Sequence, residues 1–242
     1  MLLAAEGAIK LVLGGLQKVT LLDYPGKVAC TVFTEGCNFR CPFCHNASLV
    51  LPERRDQTLP EEEFFRFLGR RKGILDGVCV TGGEPMLQKD LPEFLAKLRE
   101  LGFLVKLDTN GSFPERLRAV LEAGLADYVA MDLKNSPERY GETIGVPDFD
   151  PGPICESVAL LLENRVAYEF RTTVVRGLHR EEDFPQIAAW IAGAEHYFLQ
   201  GFVDSGDLVS GRWEAFSREE MAHFAELVRE KVPSVQLRGI TD

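Results

Sequence analysis

Short apolar runs alternate along the chain with amphipathic stretches. Six of these runs are rich in β-branched residues and have the length of buried strands. Strands are therefore predicted over residues 27–34, 76–82, 103–110, 126–134, 167–175 and 196–203, with a further short strand within 234–240. The stretches between the runs have helical spacing, and several begin with proline or acidic residues and end near glycine or basic residues. Helices are predicted over residues 60–73, 89–102, 113–124, 154–165, 181–193 and 217–232.

This order of elements predicts an α/β fold in which crossover helices join parallel strands. Six strand–helix units fit an open doubly wound sheet or a barrel, complete or partial, and periodicity does not distinguish between them. No linker or internal repeat interrupts the 242 residues, so a single domain is expected over residues 1–242. Its core is expected at about 15–203, with a C-terminal helix and strand extension at about 204–242.

Charge and composition limit the range of possible functions and partners. The chain has 27 Lys and Arg against 37 Asp and Glu, and its net charge of -10 disfavours nucleic acid and anionic lipid as partners. Residues 1–15 lack the basic leader and uninterrupted apolar segment of a secretion signal, and no uncharged apolar run reaches the ~18 residues of a membrane span. A cytoplasmic protein is expected, and clustered cysteines there bind metal or act in catalysis more often than they form disulfides.

Three of the six cysteines, Cys37, Cys41 and Cys44, lie close together directly after the first predicted strand. The run from Cys41 to His45 contains C-x-x-C-H, the attachment pattern of c-type haem, but that chemistry needs an export route. Zinc could use three thiolates and His45, although the adjacent Cys44 and His45 do not easily face one ion. A [4Fe-4S] cluster is the third alternative, with one iron left open by the three thiolates.

The other cysteines, Cys30, Cys79 and Cys155, are isolated and are interpreted as structural. Unusual residues also follow the next three predicted strands: "TGGEP" at 81–85, "DTNG" at 108–111 and "MDLKN" at 131–135. Because the carboxyl ends of parallel strands meet at one edge of the sheet, the active site is predicted at that edge.

The spacing C-x-x-x-C-x-F-C, followed one strand–helix unit later by "TGGEP", resembles the signature of the radical S-adenosylmethionine (radical SAM) superfamily. Segments at 15–46, 75–88, 102–112, 126–141 and 171–179 look like the anaerobic ribonucleoside-triphosphate reductase activating protein family. More broadly they resemble pyruvate formate-lyase activating enzymes. The resemblance extends from about Gly15 to Gly193 and is weaker in the last fifty residues.

This resemblance implies a partial (β/α)6 TIM-like barrel of the radical SAM type, with short N-terminal and C-terminal extensions. It implies an enzyme that cleaves S-adenosylmethionine at a [4Fe-4S] cluster to a 5'-deoxyadenosyl radical, which takes hydrogen from a backbone glycine. The expected partners are an anaerobic ribonucleotide reductase or a related glycyl-radical enzyme, and an electron donor such as flavodoxin or ferredoxin. The alternatives are a radical SAM enzyme acting on a small molecule and, more remotely, a zinc-binding protein without enzymatic activity.

The resemblance also implies residue roles. Cys37, Cys41 and Cys44 are the expected cluster ligands. The residues expected to contact S-adenosylmethionine are Phe43, Gly82, Gly83, Glu84, Asp108, Asp132, Lys134 and Arg171. Glu84 is expected to pair with the methionyl ammonium, and Lys134 with the carboxylate. By the same resemblance Asp108, Thr109 and Asp132 are expected to hold a monovalent cation, and His45 and Asn46 to lie near the cluster.

Two departures from the family pattern stand out. The histidine that ends a late strand in pyruvate formate-lyase activases has no counterpart, since His196 begins its predicted strand instead. The 37 residues between Cys44 and Gly82 contain only Cys79, so a ferredoxin-like insert is absent and a single cluster is expected.

Overall fold

The computed structural model describes residues 11–54, 58–204 and 206–240. One sheet of eight strands, ordered in space as in sequence, forms the centre of the fold. The strands are β1 (Leu13–Thr20), β2 (Ala29–Thr34), β3 (Gly77–Gly82), β4 (Leu104–Thr109), β5 (Tyr128–Asp132), β6 (Ala167–Val174), β7 (Tyr197–Gly201) and β8 (Gln236–Arg238). The helices are α1 (Ala47–Val50), α2 (Glu61–Gly69), α3 (Leu91–Glu100), α4 (Pro114–Glu122), α5 (Tyr140–Ile144), α6 (Gly152–Leu162), α7 (Asp183–Trp190) and α8 (Arg218–Arg229).

Strands β2 to β8 are all parallel, as the alternation of strands and helices predicted. Neighbouring strands pair along the whole series, and β1 and β8 form the two edges, so the sheet does not close. The prediction of an α/β fold with a partial barrel is therefore confirmed. The C-terminal extension contributes α8, which packs on α7, and β8, which continues the same sheet.

The sequence patterns missed β1, and the sheet does not begin with the strand at 27–34 as predicted. β1 runs antiparallel to β2, with Gly15 opposite Phe33 and Leu16 opposite Val32. Gly14 and Gly15 open the strand and its centre is half-exposed, so it lacks the β-branched apolar run that marks a buried strand. Pairing with β2 stabilises it instead.

The helices cover the sheet with one apolar face each. In α2, Phe64 and Leu68 are fully buried while Glu61, Glu62 and Glu63 occupy the first turn, where the helix dipole favours negative charge. α8 begins with a capping box, in which Ser217 and Glu220 exchange side-chain and backbone hydrogen bonds. Because β2 to β6 run parallel, the loops at their carboxyl ends lie along one edge of the sheet.

Two predictions concern segments that the model only partly describes. The absence of a leader was inferred from residues 1–15, of which residues 1–10 lie outside the described part. Within the described ranges, no helix has both the length and the apolar character needed to cross a bilayer.

Candidate active site

The cysteine loop follows β2 and is held by backbone hydrogen bonds from several directions. Gly36 N–H donates to Leu49 O (2.8 Å) and Arg40 N–H donates to Ile144 O (2.9 Å). Cys44 N–H donates to Cys41 O (3.1 Å), which forms a tight turn between the second and third cysteines. Residues from α1, α5 and the loop itself thus fix the positions from which the cysteine side chains project.

A second segment covers the outer side of this loop. Val209 N–H donates to Cys44 O (3.3 Å), and Ser210 N–H donates to Pro42 O (3.0 Å). Arg54 Nη1 donates to Leu208 O (3.0 Å) and fastens the same segment. We call residues 207–210 the strap. The sequence pattern does not predict the strap, because its backbone groups bond to residues that lie more than 150 positions earlier in the chain.

The three cysteine side chains line one cavity and are largely buried. Burial raises the pKa of Cys37 to about 11 and that of Cys41 to about 12, and it also raises the pKa of Cys44. Phe39 N–H donates to Cys37 Sγ (3.4 Å), and Asn110 Nδ2 lies 3.9 Å from the same sulfur. These thiols become thiolates when a metal compensates for the lost hydration, as in an iron–sulfur cluster.

The chemistry of three thiols that line one cavity fits an iron–sulfur cluster. Among the described residues, no three His, Cys, Asp or Glu side chains converge on a point that could hold one metal ion. A four-iron cluster takes each thiolate on a different iron, so its ligands are spread around it. His45, the other candidate ligand, stacks its ring on Phe202 with the centroids 5.7 Å apart.

The glycines of "TGGEP" serve a close backbone approach between two loops. Gly83 N–H donates to Thr34 O (2.9 Å), and Glu84 N–H donates to Gly36 O (2.8 Å). A Cβ on Gly83 would lie 2.0 Å from Gly36 O, and Gly82 has a φ of +122° beside the backbone of Thr34. The turn after β3 is thereby packed directly on the cysteine loop, and both glycines line the cavity.

The Glu84 carboxylate lies behind the cavity wall. Its Oε1 accepts hydrogen bonds from Met86 N–H (2.9 Å) and Thr109 Oγ1 (2.8 Å), and its Oε2 accepts one from Asn110 N–H (2.6 Å). The side chain is 0% exposed and does not appear among the cavity-lining residues. Glu84 joins the turn after β3 to the turn after β4 through these three hydrogen bonds.

Charged side chains from β4, β5 and β6 meet inside the sheet. Arg171 Nε donates to Asp132 Oδ1 (2.9 Å), and its Nη1 donates to Asp108 Oδ2 (3.3 Å). Lys134 Nζ is 3.1 Å from Asp132 Oδ2, and Lys106 Nζ donates to Asp108 Oδ1. Arg171 Nη1 also lies 3.9 Å from Glu169 Oε1, which pairs with Arg238 at 3.0 Å, so four cations and three carboxylates form one network.

The cations determine the protonation state of this network. Burial alone would raise the pKa of Asp132, but Arg171 and Lys134 lower it well below its ordinary value. Asp108 behaves in the same way, with Arg171 and Lys106 outweighing burial and lowering its pKa. Burial would lower the pKa of Lys134, yet Asp132 raises it. Both carboxylates are therefore ionised and Lys134 stays charged at neutral pH.

These groups surround a cavity of about 500 Å³ at the carboxyl edge of the parallel strands. The predicted site residues that line it are Cys37, Cys41, Phe43, Cys44, Gly82, Gly83, Asp108, Asp132, Lys134 and Arg171, together with Thr109, His45 and Asn46. Of the predicted set, Glu84 lies behind the wall. Asp23, Thr173 and Gln200 also line the cavity, and no sequence signal identified them.

Lys106 is a site residue that sequence reasoning missed. It is fully buried in β4, contacts Asp108 and lies 3.9 Å from the sulfur of Cys79. The signal was present in the sequence, because alternate residues of a strand point to the same face and Lys106 precedes Asp108 by two. Cys30 and Cys79 are buried strand residues as predicted, and all six cysteines are free thiols.

The fold and the site define an α/β enzyme with a cavity at the carboxyl edge of its sheet, lined by three cysteines and by paired charged side chains. The radical SAM superfamily matches residues 31–191. A Methanocaldococcus jannaschii protein assigned as a glycyl-radical enzyme activating enzyme is 31% identical over 238 residues, covering 96% of this chain and 98% of that protein.

Solved structures share the fold. A domain of pyruvate-formate lyase-activating enzyme from Bacteroides vulgatus superposes with a TM-score of 0.55 and 18% identity, over 67% of this chain and 99% of that domain. Streptococcus suis SuiB bound to S-adenosylmethionine superposes with a TM-score of 0.66 and 15% identity, over 84% of this chain and 48% of that protein.

The chain belongs to the radical SAM superfamily of enzymes. Membership implies a [4Fe-4S] cluster and the binding of S-adenosylmethionine, which agrees with three cysteines lining the cavity. The family assignment made from the cysteine spacing and "TGGEP" is thereby confirmed.

Proposed function

We propose that this enzyme activates a glycyl-radical enzyme, with an anaerobic ribonucleotide reductase as the first candidate partner. The observation that carries the proposal is a single cavity lined by Cys37, Cys41 and Cys44 and by the charged residues of β4 to β6. The similarity to a protein assigned as a glycyl-radical enzyme activating enzyme, over almost the full length of both chains, supports this choice of substrate.

The three cysteines would hold the cluster and leave its fourth iron free of protein ligands. When bound, the cluster supplies the electron that splits S-adenosylmethionine into methionine and a 5'-deoxyadenosyl radical. The backbone hydrogen bonds of the cysteine loop fix the three ligands, and burial of the thiols excludes water from around them. A flavodoxin or ferredoxin is the proposed electron donor.

The remaining side chains would bind and orient S-adenosylmethionine. Lys134 lines the cavity and supplies a cation for the carboxylate of S-adenosylmethionine. Phe43 is buried, lines the cavity and offers an aromatic face to the adenine. Gly82 and Gly83 expose backbone at the wall, while Glu84 fixes the turn that presents them.

Asp108 and Asp132 have a second proposed role together with Thr109. All three line the cavity, and both carboxylates are ionised. Their oxygens suit a monovalent cation beside the bound cofactor. Arg171 contacts both carboxylates and would set their spacing.

Electron paramagnetic resonance tests the function directly. The anaerobically reconstituted enzyme, S-adenosylmethionine and a reductant are mixed with a candidate anaerobic ribonucleotide reductase, and a glycyl-radical doublet is expected. The Cys41→Ala variant should give neither the doublet nor full iron content. Cys155→Ala, which changes a cysteine outside the cavity, should keep both.

The opposite result would point to a small-molecule substrate. In that case no glycyl radical forms with any candidate partner, and 5'-deoxyadenosine accumulates only when a metabolite is added. Iron binding by the wild-type chain then still supports radical SAM chemistry, while the proposed protein substrate is wrong.

A further inference from the structure

A groove of about 430 Å³ lies beside the first edge of the sheet, between β1 and α2. Its apolar floor is formed by Leu16, Leu59 and Phe67. Four cations surround this floor, Lys18, Arg66, Arg70 and Arg71, and Glu63 is the only acidic lining residue. The groove shares no lining residue with the cavity, so it is a separate feature of the molecule.

The charge of the groove is opposite to that of the whole protein. Its lining carries four positive groups and one negative group, whereas the chain has a net charge of -10. Within the described part of the chain, none of the four cations forms an ion pair, although most other arginines do. Unpaired cations in an acidic protein indicate a surface that attracts an anionic partner.

Arg71 gives a second and independent indication. Its Nε is buried and has no hydrogen-bond partner among the described residues, and its guanidinium lies over the ring of Phe67, 5.3 Å from the centroid. A buried donor without an acceptor is unfavourable by about 1–3 kcal/mol, so native proteins rarely keep one. The Arg71 side chain, which lines the groove, therefore has hydrogen-bonding capacity that no described residue uses.

The backbone beside the groove is also unpaired. β1 is an edge strand that pairs with β2 on one side. On its other side, the described residues contribute one bridge, from Leu13 to Leu59, which leaves residues 14–20 without a strand partner there. Val19 in this stretch is 54% exposed. An unpaired strand edge can bind an extended peptide through main-chain hydrogen bonds, while side chains that alternate between the two faces of the strand contact those of the peptide.

We propose that this groove binds an extended acidic segment of a partner protein, which pairs with β1 as an additional strand and places carboxylates on Arg66, Arg70 and Arg71. The free main-chain edge favours a peptide over a nucleic acid, because only a peptide supplies matching N–H and C=O groups. The inference goes beyond the proposed activation of a glycyl-radical enzyme, since no step of that chemistry takes place at the groove.

Fluorescence anisotropy with a labelled peptide of alternating glutamate and valine tests the proposal on the full-length protein. The triple variant Arg66→Glu, Arg70→Glu and Arg71→Glu should weaken binding by on the order of tenfold or more, since three contacts change from attraction to repulsion. The matched control reverses three exposed arginines outside the groove, Arg165→Glu, Arg180→Glu and Arg229→Glu, and should bind like the wild type. Circular dichroism checks folding, and the milder triple change to glutamine should give an intermediate affinity.

Two further probes separate strand pairing from charge alone. The same peptide with alternate backbone nitrogens methylated keeps its carboxylates but cannot complete the hydrogen-bond ladder, so its binding should be lost. Equal binding of the methylated peptide overturns the proposed strand pairing. If the groove triple variant and the control triple variant weaken peptide binding equally, the groove is not the binding site. Sedimentation measures the oligomeric state. A wild-type dimer that only the groove variant abolishes would show that a second copy of this chain occupies the groove, and the proposed partner protein would be wrong.

Discussion

Arg171 and Asp132 lie directly opposite each other on β6 and β5, and Arg171 Nε is 2.9 Å from Asp132 Oδ1. The same guanidinium reaches Asp108 on β4, so one side chain joins carboxylates from two other strands. Its planar fork suits this arrangement, whereas an ammonium group offers a single point of charge.

Removal of this guanidinium should destabilise the fold strongly. Arg171→Met leaves Asp108 and Asp132 with one cation each, Lys106 and Lys134, and the free energy of unfolding should fall by about 1–3 kcal/mol for the lost charged hydrogen bonds. Arg171→Lys should lose less, because it keeps the charge. Urea denaturation of both variants beside Arg165→Met, a change at an exposed arginine, measures the difference. A loss for Arg171→Met no larger than that of Arg165→Met would contradict the structural role.

Addition of one methyl group at Gly83 should disturb the cysteine loop. A Cβ there would lie 2.0 Å from Gly36 O, so the two loops must separate, at a cost of about 1–3 kcal/mol for overpacking. Gly83→Ala should therefore lower both the unfolding midpoint and the iron retained after anaerobic reconstitution. Gly69→Ala is the control, since nothing lies within 4 Å of a Cβ at Gly69. Wild-type iron content in Gly83→Ala would refute the close approach of the loops.

Glu84→Gln should be unfavourable even though it removes a buried negative charge. All three neighbours of the carboxylate are donors, and glutamine would turn its own NH₂ group toward one of them. The resulting mismatch should lower the free energy of unfolding by about 1–3 kcal/mol. Chemical denaturation beside Glu62→Gln, at an exposed position on α2, gives the comparison. A Glu84→Gln variant as stable as Glu62→Gln would show that the three hydrogen bonds contribute little.

His179 and Glu84 should give opposite pH dependences. His179 is buried behind Lys134, where its Nδ1 accepts Val175 N–H (3.0 Å) and its Nε2 lies 2.9 Å from Lys134 O. Burial lowers the pKa of His179 from 6.5 to about 4, so the unfolded chain binds more protons between these values. The contribution of His179 to the free energy of unfolding is full above pH 6.5 and declines as the pH falls toward 4, by about 3 kcal/mol.

Burial raises the pKa of Glu84 from 4.5 to about 7, so here the folded state binds more protons and stability declines as the pH rises through this range. The two effects partly cancel in the wild type. His179→Gln should remove the contribution of His179, which increases with pH, and leave that of Glu84, which decreases. The free energy of unfolding of this variant should therefore fall relative to that of the wild type as the pH rises. Urea denaturation in steps between about pH 5 and pH 7, with the exposed His223→Gln as control, measures this. Parallel curves for His179→Gln and wild type would contradict the assignment.

The general position of the site was predictable because strand endings carry strong signals. Three cysteines, two glycines and several charged residues interrupt apolar runs, and parallel strands bring such interruptions to one edge. The direction of each side chain was less predictable. Glu84 follows a turn, where strand alternation no longer applies, and its carboxylate faces the neighbouring turn instead of the cavity.

Other features depend on contacts between residues far apart in sequence. β1 is a strand because β2 pairs with it, and its own residues, two glycines among them, do not require that conformation. The strap has the same character, since its backbone groups find partners in the cysteine loop. Thr173 and Gln200 line the cavity because β6 and β7 pair there in register, which composition does not reveal.

The strap also has a consequence for the order in which the enzyme matures. Val209 and Ser210 are synthesised long after Pro42 and Cys44, whose carbonyl groups they cover. The two hydrogen bonds of the strap can therefore form only after the segment before α8 has been made, so the cysteine loop reaches its fully covered state late in the folding of the chain.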